Sequence, residues 1–160
     1  MHTVEILYKD NQLPRLKHVG GKDRSNWVDL YVDRVKINGE EVPWDSEGAI
    51  AYQPGQYLQL YFGVAMKLPE GMEAHIAPRG STFKHFGILQ TNSVGVVDSS
   101  FCGPDDEWFA PMYTVRNGHI MRYDRTNQFR LVPVMDDTHF AAVDTLDHPN
   151  RGGHGSSGRH

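Results

Sequence analysis

Residues 91–103 read Thr-Asn-Ser-Val-Gly-Val-Val-Asp-Ser-Ser-Phe-Cys-Gly, and the reading of this stretch organises the rest of the chain. β-Branched residues favour strands, so Asn92 and Ser93 followed by Val94, Gly95, Val96 and Val97 predict the two arms of a β-hairpin. Gly95 is free to take a positive φ or to let a ligand lie against bare backbone. On an extended segment Asp98 shares a face with Val94 and Val96. That places a carboxylate beside apolar side chains, where desolvation raises its pKa and makes it a better proton acceptor. Phe101 then offers a flat apolar ring. Taken alone, the stretch reads first as a strand and turn in which Asp98 caps a loop.

Outward from it, the chain is punctuated for strands. Val4 to Tyr8, Trp27 to Val32, Met72 to Pro78, Trp108 to Val115 and His119 to Tyr123 are short apolar-rich segments bounded by turn residues. Between Val35 and Gln59, Asn38-Gly39, Pro43, Ser46 to Gly48 and Pro54-Gly55 break the chain as in an all-β meander. From Gln128 onward, Phe129 and Leu131 fall on one strand face and Arg130 on the other. Ser81 to Phe86 alone reads as helical, opening on a Ser-Thr pair suited to capping. The class is all-β.

A length of 160 residues suits one domain, and 39% hydrophobic with 22% charged residues suits a folded one. The net charge of −4 argues against a general nucleic-acid binder, which carries a concentrated basic surface. Neither an apolar run long enough to span a membrane nor a secretory signal is evident, so the expectation is an intracellular protein without membrane contact. The single Cys102 has no internal disulfide partner, and the nine histidines show no zinc-binding spacing with it. The acidic run from Pro104 to Glu107 reads as a solvated loop. Backbone amides at the start of the short helix, with Arg79, Ser81 and Thr82, form a natural phosphate cradle. By composition, Arg151 to His160 is a flexible Gly-Ser tail.

Five stretches in order resemble the signature motifs of the trimeric deoxyuridine triphosphate nucleotidohydrolases, the dUTPases. These are VDLYV ending at Val32, PRGSTFKHFG from Pro78, the stretch 91–103, YDRTNQ from Tyr123, and RGGHGSSG from Arg151. The resemblance implies a jelly-roll-like β-barrel assembled as a homotrimer. It implies a single domain over 1–160, with 148–160 a flexible Gly-rich C-terminal arm. The implied activity is hydrolysis of dUTP to dUMP and pyrophosphate, with Asp98 as the general base for in-line water attack on the α-phosphorus. Arg79, Gly80, Ser81, Gln128, Arg151, Gly153, Gly155, Ser156 and Ser157 then hold the phosphates. Asn92, Gly95, Val96 and Val97 read the uracil edge and exclude the thymine methyl, and Phe101 stacks on the deoxyribose. Asp29 holds a water on Mg2+, the implied cofactor, and the Arg of the fourth motif, Arg125, is structural.

The chain departs from the family pattern at several positions. Gly80 stands where the family places a hydroxyl, Tyr123 where it has Gly, and His154 where it has an aromatic ring over the base. That leaves Phe109 or Trp108 as the ring that closes the site. Two alternatives stay open. A dCTP deaminase of this fold would need an acid and a polar pair aimed at a cytosine amine, for which no clear constellation is present. A nucleotide-binding regulatory protein without turnover is favoured by Gly80 and His154 and opposed by the retention of Asp98, Gln128 and Arg151. Nothing in the sequence supports a regulatory protein partner.

Overall fold

Short segments that alternate apolar and polar residues each leave one apolar face, and such strands gain most by stacking two sheets face to face. The computed structural model, which describes residues 1–22 and 24–153, shows that arrangement. Its strands are β1 (Glu5–Tyr8), β2 (Val28–Leu30), β3 (Arg34–Ile37), β4 (Glu40–Val42), β5 (Ala49–Tyr52), β6 (Tyr57–Tyr61), β7 (Val64–Lys67) and β8 (Met72–Pro78). After helix α1 (Thr82–Phe86) come β9 (Ile88–Gln90), β10 (Gly95–Val97), β11 (Phe109–Thr114), β12 (Gly118–Met121) and β13 (Asn127–Pro133). One sheet has the order β10-β8-β13-β2 and the other β4-β3-β6-β11-β9, while β1-β7 and β12-β5 form two-stranded ribbons. The core lies between the sheets, with Leu58, Leu60, Ala110 and Met112 on one side and Leu30, Ala74, Ile76 and Phe129 on the other. Trp108 joins the two, its ring edge-on to Phe129 at 5.0 Å.

The stretch 91–103 is not a hairpin. β9 pairs with β11 in one sheet and β10 pairs with β8 in the other, so residues 91–94 form a corner that carries the chain across the sandwich. The positive φ falls on Ser93, at 60°, and not on Gly95. Glycine eases the packing at 95 in a different way: a Cβ there would sit 3.2 Å from the Cβ of Ile76 on the neighbouring strand, closer than ordinary contact. The longest apolar stretch of the sequence, 56–66, supplies two strands, β6 and β7. It breaks at Gly63, whose φ is +65°, and the two halves enter different sheets.

Tyr123 occupies a left-handed backbone position, φ 70°, which β-carbon sterics make costly for a non-glycine residue. Its ring packs against the core and its hydroxyl donates to a carboxylate oxygen of Asp10. Arg122 bridges the same Asp10 at 2.9 Å and Asp33 at 3.1 Å. Losing a hydrogen bond to a charged group costs about 1.5 kcal/mol. Tyr123→Phe is therefore expected to lower the thermal midpoint by a few degrees while the left-handed turn stays. An unchanged midpoint in a thermal melt would show that the hydroxyl contributes nothing to stability.

Candidate active site

The sheet β10-β8-β13-β2 positions the candidate residues. Gln128 on β13 lies opposite Asp29 on β2 and opposite Ala77 on β8, so residues of the first, second and fourth motifs meet at one end of this sheet. Arg79 follows β8 directly, and its backbone N–H donates to the carbonyl of Thr126. The Arg79 Nε lies 3.0 Å from Asp29 Oδ1, and Arg125 Nη1 lies 3.1 Å from Asp29 Oδ2. Arg79 Nη1 also donates to the Arg125 carbonyl at 3.3 Å. One carboxylate thus aligns two guanidinium groups, giving Arg125 an orienting role beside the structural one expected of it. The side-chain amide of Gln128 donates to the Pro78 carbonyl at 3.2 Å, which keeps it beside Arg79.

Ser81 sits at the N-cap of α1 but makes no side-chain capping bond. The capping expected of the Ser-Thr pair is absent because the Thr82 hydroxyl donates instead to the Thr126 carbonyl, at 2.6 Å. The Ser81 hydroxyl is left for a ligand. Gly80 is exposed, and a Cβ built there would meet no heavy atom within 4 Å.

Asp98 follows β10 and is exposed, as are Val94 and Val96 on its face. The expected rise in its pKa does not occur. The backbone N–H of Ser100, 2.8 Å from Oδ1, holds the carboxyl below the usual carboxylate value, aided by the Ser100 and Ser99 hydroxyls. Hydrogen bonds to the charged form outweigh what little desolvation there is. The Val97 side chain is buried in the core, so only its backbone is on offer to a ligand. β10 is the edge of its sheet, which leaves its outward backbone groups unpaired and available to a base edge.

Phe101 is exposed on the loop that follows Asp98. The acidic run fixes this loop: Asp106 accepts the Gly103 N–H at 2.8 Å, and Glu107 takes Arg34 at 2.9 Å and the Gly63 N–H at 3.2 Å. Neither aromatic proposed to close the site is placed to do so within one protomer. Trp108 is core, and Phe109 stacks on Tyr61 at 5.2 Å in the opposite sheet, beneath Arg34. Large apolar rings go first to bury one another, and adjacency in sequence to Asp98 does not override that.

Two halves of the candidate site are not brought together in one chain. Val97 pairs with Ala74, whereas Arg79 lies five residues further along β8, roughly 16 Å at the rise of a strand. Among the described residues no strand follows Pro133, and Met135, Phe140, Val143 and Leu146 are all exposed. Arg151 and Gly153 lie at the far end of that exposed segment, and none of the described hydrogen bonds or ion pairs ties them to Arg79. His154, Gly155, Ser156 and Ser157 lie outside the described residues.

Among the described residues no three His, Cys, Asp or Glu side chains converge to hold a metal. Asp29 has both oxygens engaged by arginines. This donor set does not fit an ion caged by the protein. It fits a Mg2+ that travels on the substrate's phosphates and keeps its waters, one of which Asp29 can hold.

No family model matches the chain. The SPβ prophage-derived deoxyuridine 5′-triphosphate nucleotidohydrolase YosS of Bacillus subtilis is 39% identical over 155 residues, covering 97% of each chain. The deoxyuridine 5′-triphosphate nucleotidohydrolase of Tropheryma whipplei (strain Twist) is 36% identical over 160 residues, covering 99% of this chain and 97% of its own. The fold is similar to that of the Staphylococcus bacteriophage 80alpha dUTPase with dUPNHPP, at a TM-score of 0.68 and 14% identity, covering 98% of this chain and 99% of that one. It is also similar to the dUTPase of Streptococcus mutans, at a TM-score of 0.62 and 21% identity, covering 84% of this chain and 98% of that one. Identity of this order along nearly the whole of both chains, across the stretches that carry the Arg79–Asp29–Arg125 cluster and Asp98 after β10, means that the chain belongs to the dUTPase family.

Proposed function

We infer that this chain hydrolyses dUTP to dUMP and pyrophosphate at sites shared between copies of itself in a homotrimer. The observation that carries the shared site is the separation along β8: the Arg79 cradle stands at one end and Asp98 is delivered to the other. A cradle from one copy facing β10 from the next completes the set, and it also covers the exposed Val94 and Val96 and the open edge of β10. This reading makes the protein a dUTP diphosphatase that limits uracil entry into DNA and supplies dUMP inside the cell. None of the described helices is long and apolar enough to cross a membrane.

In this reading the Asp98 Oδ2 accepts a proton from the water that attacks the α-phosphorus, while Oδ1 keeps its turn with Ser100. Arg79, Ser81 and Gln128 donate to phosphate oxygens whose charge grows in the transition state, and Arg151 with Ser156 arrives on the arm. Mg2+ bound to the triphosphate neutralises part of that charge. The outward backbone edge from Asn92 to Val97 pairs with uracil, and Phe101 packs against the sugar. An exposed acid with a lowered pKa is ionised at neutral pH, so it serves as a base without burial. Its retention argues against a binder without turnover.

The test is pyrophosphate release from dUTP, dTTP, dCTP and UTP with Mg2+, alongside the solution mass of the protein. Turnover confined to dUTP, by a species three times the mass of the chain, is the expected result. Nucleotide binding without pyrophosphate release would establish the regulatory reading, and ammonia from dCTP the deaminase.

The open space at Gly80 yields a further expectation. A serine fits without displacing any atom and restores a hydroxyl at the phosphates. One added hydrogen bond to a charged group contributes about 1.5 kcal/mol, so Gly80→Ser is expected to raise kcat for dUTP by about tenfold. An unchanged or lower kcat would show that Ser81 already fills the role.

A further inference from the structure

Within one protomer a buried polar chain runs from the phosphate cradle, which serves one shared site, to the corner before β10, which serves another. Thr126 and Asn127 are fully buried at the start of β13. The Thr126 carbonyl accepts the Arg79 N–H at 3.1 Å and the Thr82 hydroxyl at 2.6 Å, which ties it to the phosphate cradle. Its own hydroxyl donates to Asn127 Oδ1 at 2.7 Å. Asn127 Nδ2 donates to Gln90 Oε1 at 2.8 Å, and Gln90 Nε2 donates to the Ile76 carbonyl at 2.9 Å.

Each side-chain amide in this chain both donates and accepts, so the amide orientations are fixed from end to end. Gln90 is the last residue of β9 and belongs to the opposite sheet. Its backbone carbonyl accepts the Ser93 N–H at 3.4 Å, inside the left-handed corner. Ile76, whose carbonyl accepts from the Gln90 side chain, is the residue paired with Gly95 and the one a Cβ at 95 would meet first. Gln90 therefore holds both the entrance to the corner and the strand position against which Gly95 is set.

We propose that Gln90 and Asn127 are positioning residues for base selection, setting the register of the Asn92 to Val97 edge against the strands that carry the phosphate cradle. Neither touches the nucleotide. A backbone edge that reads uracil by hydrogen bonds discriminates only if its groups stand where the base presents its own, so a small displacement weakens the correct base more than it weakens the phosphates. An Asn and a Gln joined across two sheets fix that displacement in a way that sliding apolar contacts do not. The proposal rests on the reading of Asn92 to Val97 as the base-reading segment.

The test is steady-state hydrolysis of dUTP and dTTP with Mg2+ by the assembled protein and two variants. Gln90→Glu keeps the size and the acceptor for Asn127 but turns an acceptor toward the Ile76 carbonyl. Asn127→Leu breaks the same link from the cradle side. Both are expected to raise KM for dUTP by about tenfold and to lower the preference for dUTP over dTTP by a similar factor, with kcat at saturation and inhibition by inorganic pyrophosphate little changed. KM and the preference ratio do not depend on the fraction of protein folded, so lost stability alone cannot mimic this pattern. If either folded variant keeps both the wild-type KM and the wild-type preference, or if kcat falls while KM holds, the proposal is overturned. A wild-type protein with no preference for dUTP would instead defeat the reading of the base edge itself, which separates the two failures.

Discussion

Asp98→Asn is expected to lower kcat for dUTP by about 10³-fold, the scale on which a positioned general base acts. The substitution is close to a single change. Asn retains an oxygen where Oδ1 accepts the Ser100 N–H, so the turn that carries Phe101 is kept and only the basicity is removed. Because Asp98 is exposed, the variant should melt at nearly the same temperature as the wild type. The pH profile follows from the direction of the shift. The base works as a carboxylate, and the Ser100 N–H holds its pKa below the usual carboxylate value, so activity governed by this group is full through neutral pH and falls only below the usual carboxylate range. An acid limb near pH 6 in kcat/KM would assign the base to another group. So would an Asp98→Asn variant with more than a tenth of wild-type activity.

Arg79→Ala should cost roughly 10²- to 10³-fold, mostly in kcat, since a donor to charge that grows in the transition state is removed. The partner substitution Asp29→Asn should cost about tenfold. It leaves one oxygen to accept from an arginine but points an amide at the other, so Arg79 is misaligned rather than absent. Neither change should unfold the protein, because partly exposed ion pairs contribute on the order of 0–1 kcal/mol. The diagnostic comparison is the ratio of the two effects, measured as pyrophosphate release at saturating dUTP. Equal losses would mean that Asp29 acts on the substrate's metal directly and not by aligning Arg79.

The turn residues and the period of the strands made the all-β class legible, and Met72 to Pro78 forms β8 with the boundaries expected. What escaped was the destination of each strand. Asn92 to Val97 has the composition of a hairpin, but local propensity is silent on which sheet a strand joins. That was decided by Ile88 and Val97 entering the core from opposite sheets. The direction of the Asp98 pKa shift was not legible, because the decisive donor is the backbone N–H of Ser100 in a turn that composition does not specify. Gln90 and Asn127 went unnoticed although one signal was present. With Phe129 and Leu131 facing inward, Asn127 falls on the same inward face two residues earlier, and an inward Asn on a strand requires a buried partner.

The left-handed tyrosine at 123 also constrains the order in which this chain could have acquired its residues. A side chain at φ 70° costs about 1–2 kcal/mol where glycine costs little, and here the Asp10 carboxylate and the overlying Arg122 offset it. Aspartate at position 10 is harmless beside a glycine, since it still pairs with Arg122. Tyrosine at 123 without that aspartate keeps the ring's packing against the core but forgoes a hydrogen bond to a charged group, about 1.5 kcal/mol of what offsets its backbone. The mutational route with no destabilised intermediate therefore runs through Asp10 first and Tyr123 second, and reversion is equally smooth only if Tyr123 goes before Asp10.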